Sequence, residues 1–273
     1  MKTGLSVGLI QMCASERVPE NIESASTLIE EARNKGADFI LTPEMTGIFE
    51  QRKKNLFENT HFEETDPALA AFKALASDLK VWLLIGSLAI KVGDDKLVNR
   101  SFLISPGGIR ARYDKIHMFD VDLEDGESYR ESSTYKAGKK PVVTTTPFGT
   151  LGLSICYDLR FPYLYRRLAH MGARIIAVPS SFTKVTGAAH WHTLLRARAI
   201  ETGCFVLAPA QAGRHSNGRE TFGHTLVVDP WGEVLLDAGT VDQGAFVVSL
   251  DLTKIEKART MIPALKHDKK LST

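Results

Sequence analysis

The order in which strand-like and helix-like segments alternate is the feature that most limits the fold of this 273-residue chain. About a dozen short apolar segments have the length of strands, and about five longer segments have helical periodicity. Some strand-like segments are separated by helices, whereas others, such as residues 81–90 and 97–104, are joined by a hairpin turn. This mixture predicts an α/β domain with mixed sheets and argues against an all-parallel doubly wound sheet.

The composition narrows the class of protein. The chain is 44% hydrophobic and 24% charged, as globular proteins commonly are, and its 34 basic and 32 acidic residues leave a net charge of +2. Such a balance gives no electrostatic basis for binding nucleic acid or an anionic membrane surface. No apolar run approaches the ~18 residues of a membrane helix. No linker-like stretch divides the chain, so we expect a single domain over residues 1–273.

The cysteines are Cys13, Cys156 and Cys204, which are widely spaced and odd in number. This pattern argues against a disulfide framework and against a cysteine zinc site. It fits a reducing, cytoplasmic compartment. The first residues alternate in polarity, which predicts a first strand and not a signal peptide.

One of these cysteines stands at a turn between a strand and a helix. Residues 151–155 form an apolar run that predicts a buried strand, Cys156 follows it, and Pro162 is placed to begin a helix. Backbone N–H groups and the positive end of a helix favour a thiolate or an oxyanion at such a turn. The structural alternative is a packed core cysteine, which is the commoner role of an unpaired cysteine.

Two further residues with reactive side chains follow predicted strands in the same way, namely Glu44 and Lys115. Ligand sites of α/β sheets gather at the carboxyl ends of strands. If the three ends lie side by side, Glu44 can take the thiol proton of Cys156, and Lys115 can stabilise an oxyanion together with the backbone N–H of Tyr157. Separately, each residue has a structural alternative as a turn, strand-end or core residue, and spacing alone does not decide between them.

The motifs around these residues resemble those of the nitrilase superfamily, the carbon-nitrogen hydrolases. The matching segments span nearly the whole chain, and they include LTPEM around Glu44, YDKIHMFDVD around Lys115, GLSICYDLRFP around Cys156 and DPWG from Asp229. The resemblance implies an α/β fold in the form of a four-layer αββα sandwich with two mixed β-sheets. It also implies a Glu44–Lys115–Cys156 triad, a second glutamate at Glu131, and no metal or organic cofactor.

The mechanism that this resemblance implies proceeds through a thioester. Cys156 attacks the amide carbonyl while Glu44 takes its proton, and Lys115 holds the oxyanion. Glu44 then protonates the leaving group and activates the water that hydrolyses the thioester. Glu131 would orient Lys115 or the substrate amide.

Within the superfamily, the chain is similar to the branch of deaminated glutathione amidases and omega-amidases, through its AQAGRH and RARAIET segments. The resemblance implies a small carboxylate or 2-oxo acid amide as substrate. The expected binding residues are Arg160, Phe182 and Thr186. Phe182 and Thr186 lie in a predicted loop before a helix at 190–201. Their structural alternatives are a carboxylate partner for Arg160 and a core position for Phe182.

Two departures from the family pattern bear on the pocket, since Tyr163 and His192 stand where the family commonly has glutamate. The pair of His190 and His192 is a weak indication of a metal site because no third ligand accompanies it.

An N-carbamoyl amino acid amidohydrolase or a nitrilase is the alternative activity, and an inactive binding or scaffold protein is the alternative of another class. The resemblance also implies a homodimer, with the apolar helices predicted at 162–171 and 190–201 at its interface.

Overall fold

Two mixed β-sheets form the centre of the protein, whose computed structural model describes residues 3–122, 128–241 and 243–269. In chain order the strands are β1 (Gly4–Gln11), β2 (Phe39–Leu41), β3 (His61–Phe62), β4 (Trp82–Lys91), β5 (Leu97–Ser105), β6 (Gly108–Asp114), β7 (Asp120–Asp122), β8 (Ser128–Arg130), β9 (Val142–Thr146), β10 (Gly149–Leu153), β11 (Ile175–Ala177), β12 (Phe205–Ala208), β13 (Ala212–Arg214), β14 (Glu220–Phe222), β15 (Leu226–Val228), β16 (Val234–Asp237) and β17 (Gly244–Asp251). The helices are α1 (Val18–Asn34), α2 (Lys53–Glu58), α3 (Pro67–Asp78), α4 (Pro162–His170), α5 (Lys184–Thr202) and α6 (Thr253–Met261).

The first sheet has the order β17-β1-β2-β4-β5-β6, with β3 paired to β4, and the second has the order β16-β15-β12-β11-β10-β9. Along each of these strand orders the central pairs are parallel and the outer pairs are antiparallel, while the additional strand β3 pairs with β4 in parallel. Parallel pairs need a crossover connection and antiparallel pairs do not, so this arrangement reflects the alternation of helices and hairpins in the sequence. Two short hairpins, β7-β8 and β13-β14, lie outside the two sheets.

Alternate residues of the strands point into different layers of the molecule. In β2, Phe39 and Leu41 belong to the apolar cluster that joins the two sheets, whereas Ile40 belongs to the cluster beneath α1 and α3. This period of two is what a strand buried on both faces requires. Helices α4 and α5 contact the second sheet on its other side. The architecture is therefore a four-layer αββα sandwich, and the predicted fold class is confirmed.

Helix α5 differs from the sequence prediction, which placed a loop up to residue 189. The helix begins at Lys184 because the side chain of Thr183 accepts a hydrogen bond from the backbone N–H of Thr186. Gly187 is an interior residue of the helix, where a Cβ atom would lie 2.3 Å from the Cβ of Phe222. Thr186 consequently lies in the first helical turn, and the prediction that placed it in a loop was wrong.

Two other segments also differ from the prediction. Residues 221–228 were expected to form one strand, but Gly223 and His224 have positive φ angles of 73° and 54° and separate β14 from β15. The loop expected at 116–140 contains the β7-β8 hairpin and a 3₁₀ turn, Glu131–Ser133. Residues 123–127 of that loop lie outside the described residues. Among the described residues, no helix is both long and apolar enough to cross a membrane.

Candidate active site

Cys156 lies at a sharp turn between β10 and α4. Its φ angle is +47°, which is rare for a residue with a side chain and is often found at functional sites. The backbone N–H of Cys156 donates to the carbonyl of Pro179 at 2.9 Å. The buried carboxylate of Asp158 accepts hydrogen bonds from the N–H of Ile155 at 2.9 Å and from the hydroxyl of Tyr113 at 2.6 Å. Contacts on both sides of the turn therefore fix the direction of the thiol.

The ends of β2, β6 and β10 bring Glu44, Lys115 and Cys156 together. The ammonium of Lys115 donates to Glu44 Oε1 at 2.9 Å and to the two carboxylate oxygens of Glu131 at 3.0 and 2.9 Å. The Cys156 thiol lies close enough to both groups for the charges of Glu44 and Lys115 to act on it. The residues come from both sheets, since β2 and β6 belong to the first and β10 to the second, and residues of both sheets share one apolar cluster.

The environment of these groups sets their protonation states. Burial opposes ionisation of Glu44, but the charge of Lys115 and the hydrogen bond from Ser181 lower the pKa of this carboxyl below its ordinary value. Burial likewise opposes the charge of Lys115, but Glu131 and Glu44 raise its pKa well above the ordinary range. Burial, followed by the charge of Glu44, raises the pKa of the Cys156 thiol. The resting site therefore holds a thiol, a carboxylate and an ammonium group.

Two polar residues at this site were not identified from the sequence. Asn99 Nδ2 donates to Glu44 Oε1 at 2.9 Å and to Glu131 Oε1 at 3.3 Å. Ser181 Oγ donates to Glu44 Oε2 at 2.5 Å. Ser181 follows a strand end, as the three predicted residues do, and Asn99 interrupts an apolar strand, so both carried a recognisable signal. Together these residues and Lys115 fix both carboxylate oxygens of Glu44.

A cavity of about 430 Å³ opens above these groups. This volume lies within the range of small-molecule sites. The structure brings all the sequence-predicted site residues to the wall of this cavity: Glu44, Lys115, Glu131, Cys156, Tyr157, Arg160, Phe182 and Thr186.

The guanidinium of Arg160 lies over the rings of Phe182 and Tyr157, at 5.3 and 5.9 Å from their centroids. Its Nη1 atom is 3.2 Å from His190 Nδ1. Within residues 3–122, 128–241 and 243–269 it forms no ion pair, so the structural carboxylate partner considered for it is not found there. Phe182 is buried and also packs on Trp191 at 4.8 Å, so it is both a core residue and part of the cavity wall.

The two positions that depart from the family pattern lie outside the cavity wall. Tyr163 is exposed and its hydroxyl contacts the ring of His117. His192 and His224 each contact the carboxylate of Asp237, at 2.9 and 2.8 Å. The possible ligand atoms of these three residues lie within 4.8 Å of one another, so this cluster has the residue types to hold a cation. His190, the other member of the pair considered from the sequence, contacts Arg160 instead.

Comparison with known proteins identifies the family. The sequence model of the carbon-nitrogen hydrolase family matches residues 6–260. The chain belongs to the carbon-nitrogen hydrolase family. A deaminated glutathione amidase from Yersinia enterocolitica is 40% identical to this carbon-nitrogen hydrolase over 275 residues, which cover 98% of the present chain and 94% of the relative. The family resemblance seen in the motifs is confirmed.

Solved structures of related carbon-nitrogen hydrolases share the fold. The NitFhit protein of Caenorhabditis elegans superposes with a TM-score of 0.90 at 33% identity, covering 98% of this chain and 66% of that one. An amidase mutant from Nesterenkonia sp. AN1, which carries acrylamide joined by Michael addition to its active-site cysteine, has a TM-score of 0.80 at 25% identity and covers 95% of this chain and 98% of that one. The present protein therefore shares both the sequence family and the fold of these hydrolases.

Proposed function

We propose that this hydrolase cleaves the amide bond of a small carboxylate or 2-oxo acid substrate, such as deaminated glutathione, through a thioester on Cys156. The observation that carries the proposal is the contact of Glu44 with both Lys115 and Cys156 on the wall of one cavity. The name of the Yersinia relative supports the choice of substrate. No metal or organic cofactor takes part in the proposed steps.

Acylation begins with the resting thiol. Because the pKa of Cys156 is raised and that of Glu44 is lowered, little thiolate is present, and the proton moves to Glu44 as sulfur attacks the carbonyl carbon. The carbonyl π electrons move to oxygen, where Lys115 and the N–H of Tyr157 stabilise the negative charge. Glu44 then gives its proton to the departing nitrogen, the C–N bond breaks, and ammonia or an amine leaves a thioester on Cys156.

Deacylation uses the same carboxylate. Glu44 takes a proton from water as the oxygen attacks the thioester carbonyl, and the C–S bond breaks when the tetrahedral intermediate collapses. The sulfur leaves with the proton held by Glu44, and the product is a carboxylic acid. Glu131 keeps Lys115 in place through its bidentate contact, which maintains the oxyanion position in both half-reactions.

Arg160, Phe182 and Thr186 are proposed to bind the acyl part of the substrate. A guanidinium binds a carboxylate with two parallel hydrogen bonds. Arg160 is held against Phe182 and forms no ion pair within the part of the chain that the structure describes, so its donors are available to a substrate carboxylate. Thr186, whose hydroxyl contacts that of Thr183 at 2.8 Å, adds a neutral polar group to the same wall.

The test is a substrate panel combined with two variants. Release of ammonia or amine from 2-oxo acid amides supports the proposal, whereas turnover of N-carbamoyl amino acids or nitriles alone would assign the alternative activity. Wild-type protein quenched during turnover should carry a thioester adduct detectable by intact mass, whereas Glu44→Gln should form it much more slowly and Cys156→Ala should form none. If both variants keep wild-type activity, the triad assignment is wrong; if the wild-type protein turns over no member of the panel, the scaffold alternative is favoured.

We further propose that the protein is a cytoplasmic homodimer and that residues 1–273 form a single domain. Support for the dimer comes from exposed apolar side chains around the end of α5, where Ile200, Trp231 and Ile262 are 54%, 55% and 58% exposed and line one depression. Exposed apolar patches of this kind mark protein interfaces. Sedimentation of a monomer at micromolar concentration would reject the dimer.

A further inference from the structure

Three arginines line the cavity, and one of them, Arg219, has no part in the steps above and no ion pair within the described residues. Arg219 immediately precedes β14 and contributes to the same wall as Cys156. Its guanidinium carbon lies 5.0 Å from the ring centroid of Phe49 and 5.2 Å from that of Tyr129. Its Nη2 atom donates to the carbonyl of Ser181 at 2.8 Å. These contacts hold the guanidinium in one orientation at the cavity wall.

The charges of the cavity wall do not balance around Arg219. Glu44 and Glu131 are paired with Lys115 at the base of the cavity. The remaining wall carboxylate, Glu50, is paired with Arg52, and Arg130 is paired with Asp122. Within the described ranges, neither Arg160 nor Arg219 has a carboxylate within ion-pair distance. Although the two carboxylates at the base exceed the one charge of Lys115, the wall as a whole has five cationic side chains and three carboxylates. This excess of positive charge favours anionic ligands.

Arg160 and Arg219 occupy separate positions. Arg160 is held by Tyr157 and Phe182, whereas Arg219 is held by a different pair of rings. They also belong to different elements, the 3₁₀ turn after β10 and the entry to β14. Two guanidinium groups that are held by different rings can each bind an acidic group of one substrate.

The hydrogen bonds of Arg219 leave donors unused. A guanidinium has five N–H groups. The bond to the Ser181 carbonyl uses one of them, and within the described residues the guanidinium forms no other hydrogen bond. The Nε atom is buried, so a substrate carboxylate would bind the remaining Nη donors. An arginine with only a structural role is expected to be satisfied more fully, because unpaired buried donors are costly.

We propose that Arg219 is a specificity-determining residue that binds a second carboxylate, located on the amine side of the scissile amide. The preferred substrate then carries one carboxylate on its acyl part, at Arg160, and another on its leaving group. This inference rests on the proposed function and deepens it. Deaminated glutathione has such a leaving group, because its C-terminal glycine carries a carboxylate, whereas a primary amide releases ammonia and leaves Arg219 unused.

The test compares two substrates that differ only at the far carboxylate, namely deaminated glutathione and its C-terminal carboxamide. For the wild-type enzyme, kcat/KM should be on the order of 10- to 100-fold higher for the acid than for the carboxamide. This is the range expected for a charge-assisted hydrogen bond. Arg219→Gln should raise KM for the acid by a similar factor and change KM for the carboxamide little. Arg219→Lys keeps the positive charge but loses the planar guanidinium, so its KM for the acid should lie between those of the wild type and Arg219→Gln.

Arg110→Gln is the matched control, since Arg110 is exposed on β6 and lies outside the cavity wall. The inference is overturned if wild-type enzyme uses the two substrates equally well. It is also overturned if Arg219→Gln lowers kcat for both to the same degree, since that result assigns Arg219 to the support of Ser181 and Glu44. Absence of wild-type activity on both substrates would instead contradict the proposed function.

Discussion

At the scale of single residues, the protonation states explain how an unactivated thiol can serve as a nucleophile. The pKa of Glu44 is lowered and its carboxylate lies beside the thiol, so the proposed base is in place before the substrate arrives. The ammonium of Lys115 compensates the carboxylate and remains charged, since its own pKa is raised. In the proposed mechanism, proton transfer and attack are therefore coupled, and a preformed thiolate is not needed.

The first prediction concerns the pH dependence of kcat/KM. Glu44 must be ionised to accept the thiol proton, and its pKa lies below the ordinary value of 4.5, so activity should persist as the pH falls to 4.5 and decline only below it. Because the pKa of the Cys156 thiol is raised, no increase in activity from thiolate formation should appear up to pH 9. Initial rates, with circular dichroism to confirm folding at each pH, measure this profile. A rise in activity centred between pH 7 and 9 would contradict it.

The second prediction concerns Ser181. Ser181→Ala removes the hydrogen bond to Glu44 Oε2, so the carboxylate loses orientation and kcat should fall on the order of 10-fold, the range for a hydrogen bond to a charged group. The pKa of Glu44 should rise, which moves the acidic limb of the pH profile to higher pH. Ser180→Ala is the control, because the Ser180 hydroxyl bonds the carbonyl of Val178 and not Glu44. Unchanged kinetics in Ser181→Ala, or equal losses in both variants, would be inconsistent with this role.

At the scale of elements, Gly187 sets the contact between α5 and β14. A glycine inside a helix costs about 1 kcal/mol relative to alanine. Here it is required, because any Cβ would overlap the side chain of Phe222. The close approach also orders the start of α5, since the backbone N–H of Phe222 donates to the carbonyl of Phe182 at 3.0 Å. A residue of low helix propensity is therefore present inside α5 because the close contact with β14, which positions the cavity wall, requires it.

The third prediction follows from this contact. Gly187→Ala should lower the free energy of unfolding by about 1–3 kcal/mol, the usual cost of overpacking, although the substitution improves helix propensity. Ala188→Gly, at the exposed neighbouring position, should lower it by about 1 kcal/mol through propensity alone. Urea denaturation measures both. A Gly187→Ala protein that is more stable than wild type would show that α5 and β14 can separate at no cost.

Sequence patterns located the strand ends and the motif residues but not all of the elements. Glu44, Lys115 and Cys156 were recognisable because each follows an apolar strand and belongs to a motif. The start of α5 was misplaced because Gly187 has the usual signature of a loop, and the reason for its helical position is a contact with Phe222, 35 residues away. The role of Asn99 depends on a partner 55 residues away, which local periodicity does not reveal.

At the scale of the whole molecule, the fourth prediction concerns the proposed dimer. Ile200→Ser combined with Trp231→Ser removes the exposed apolar groups around the end of α5, and the sedimentation coefficient should fall to that of a monomer. Val185→Ser is the control, because Val185 is 60% exposed at the opposite end of the same helix. Equal sedimentation of the double variant and wild type as dimers would place the interface elsewhere.

The pairing of one ammonium with two carboxylates also has a consequence for product departure. Glu44 and Glu131 share the single charge of Lys115, so the base of the cavity holds more negative than positive charge. Hydrolysis replaces a neutral amide by a carboxylate at this position, and like charges in a buried site repel one another strongly. In the proposed mechanism, the new carboxylate is therefore repelled from the base of the cavity, which favours its departure from Cys156 after the thioester is hydrolysed.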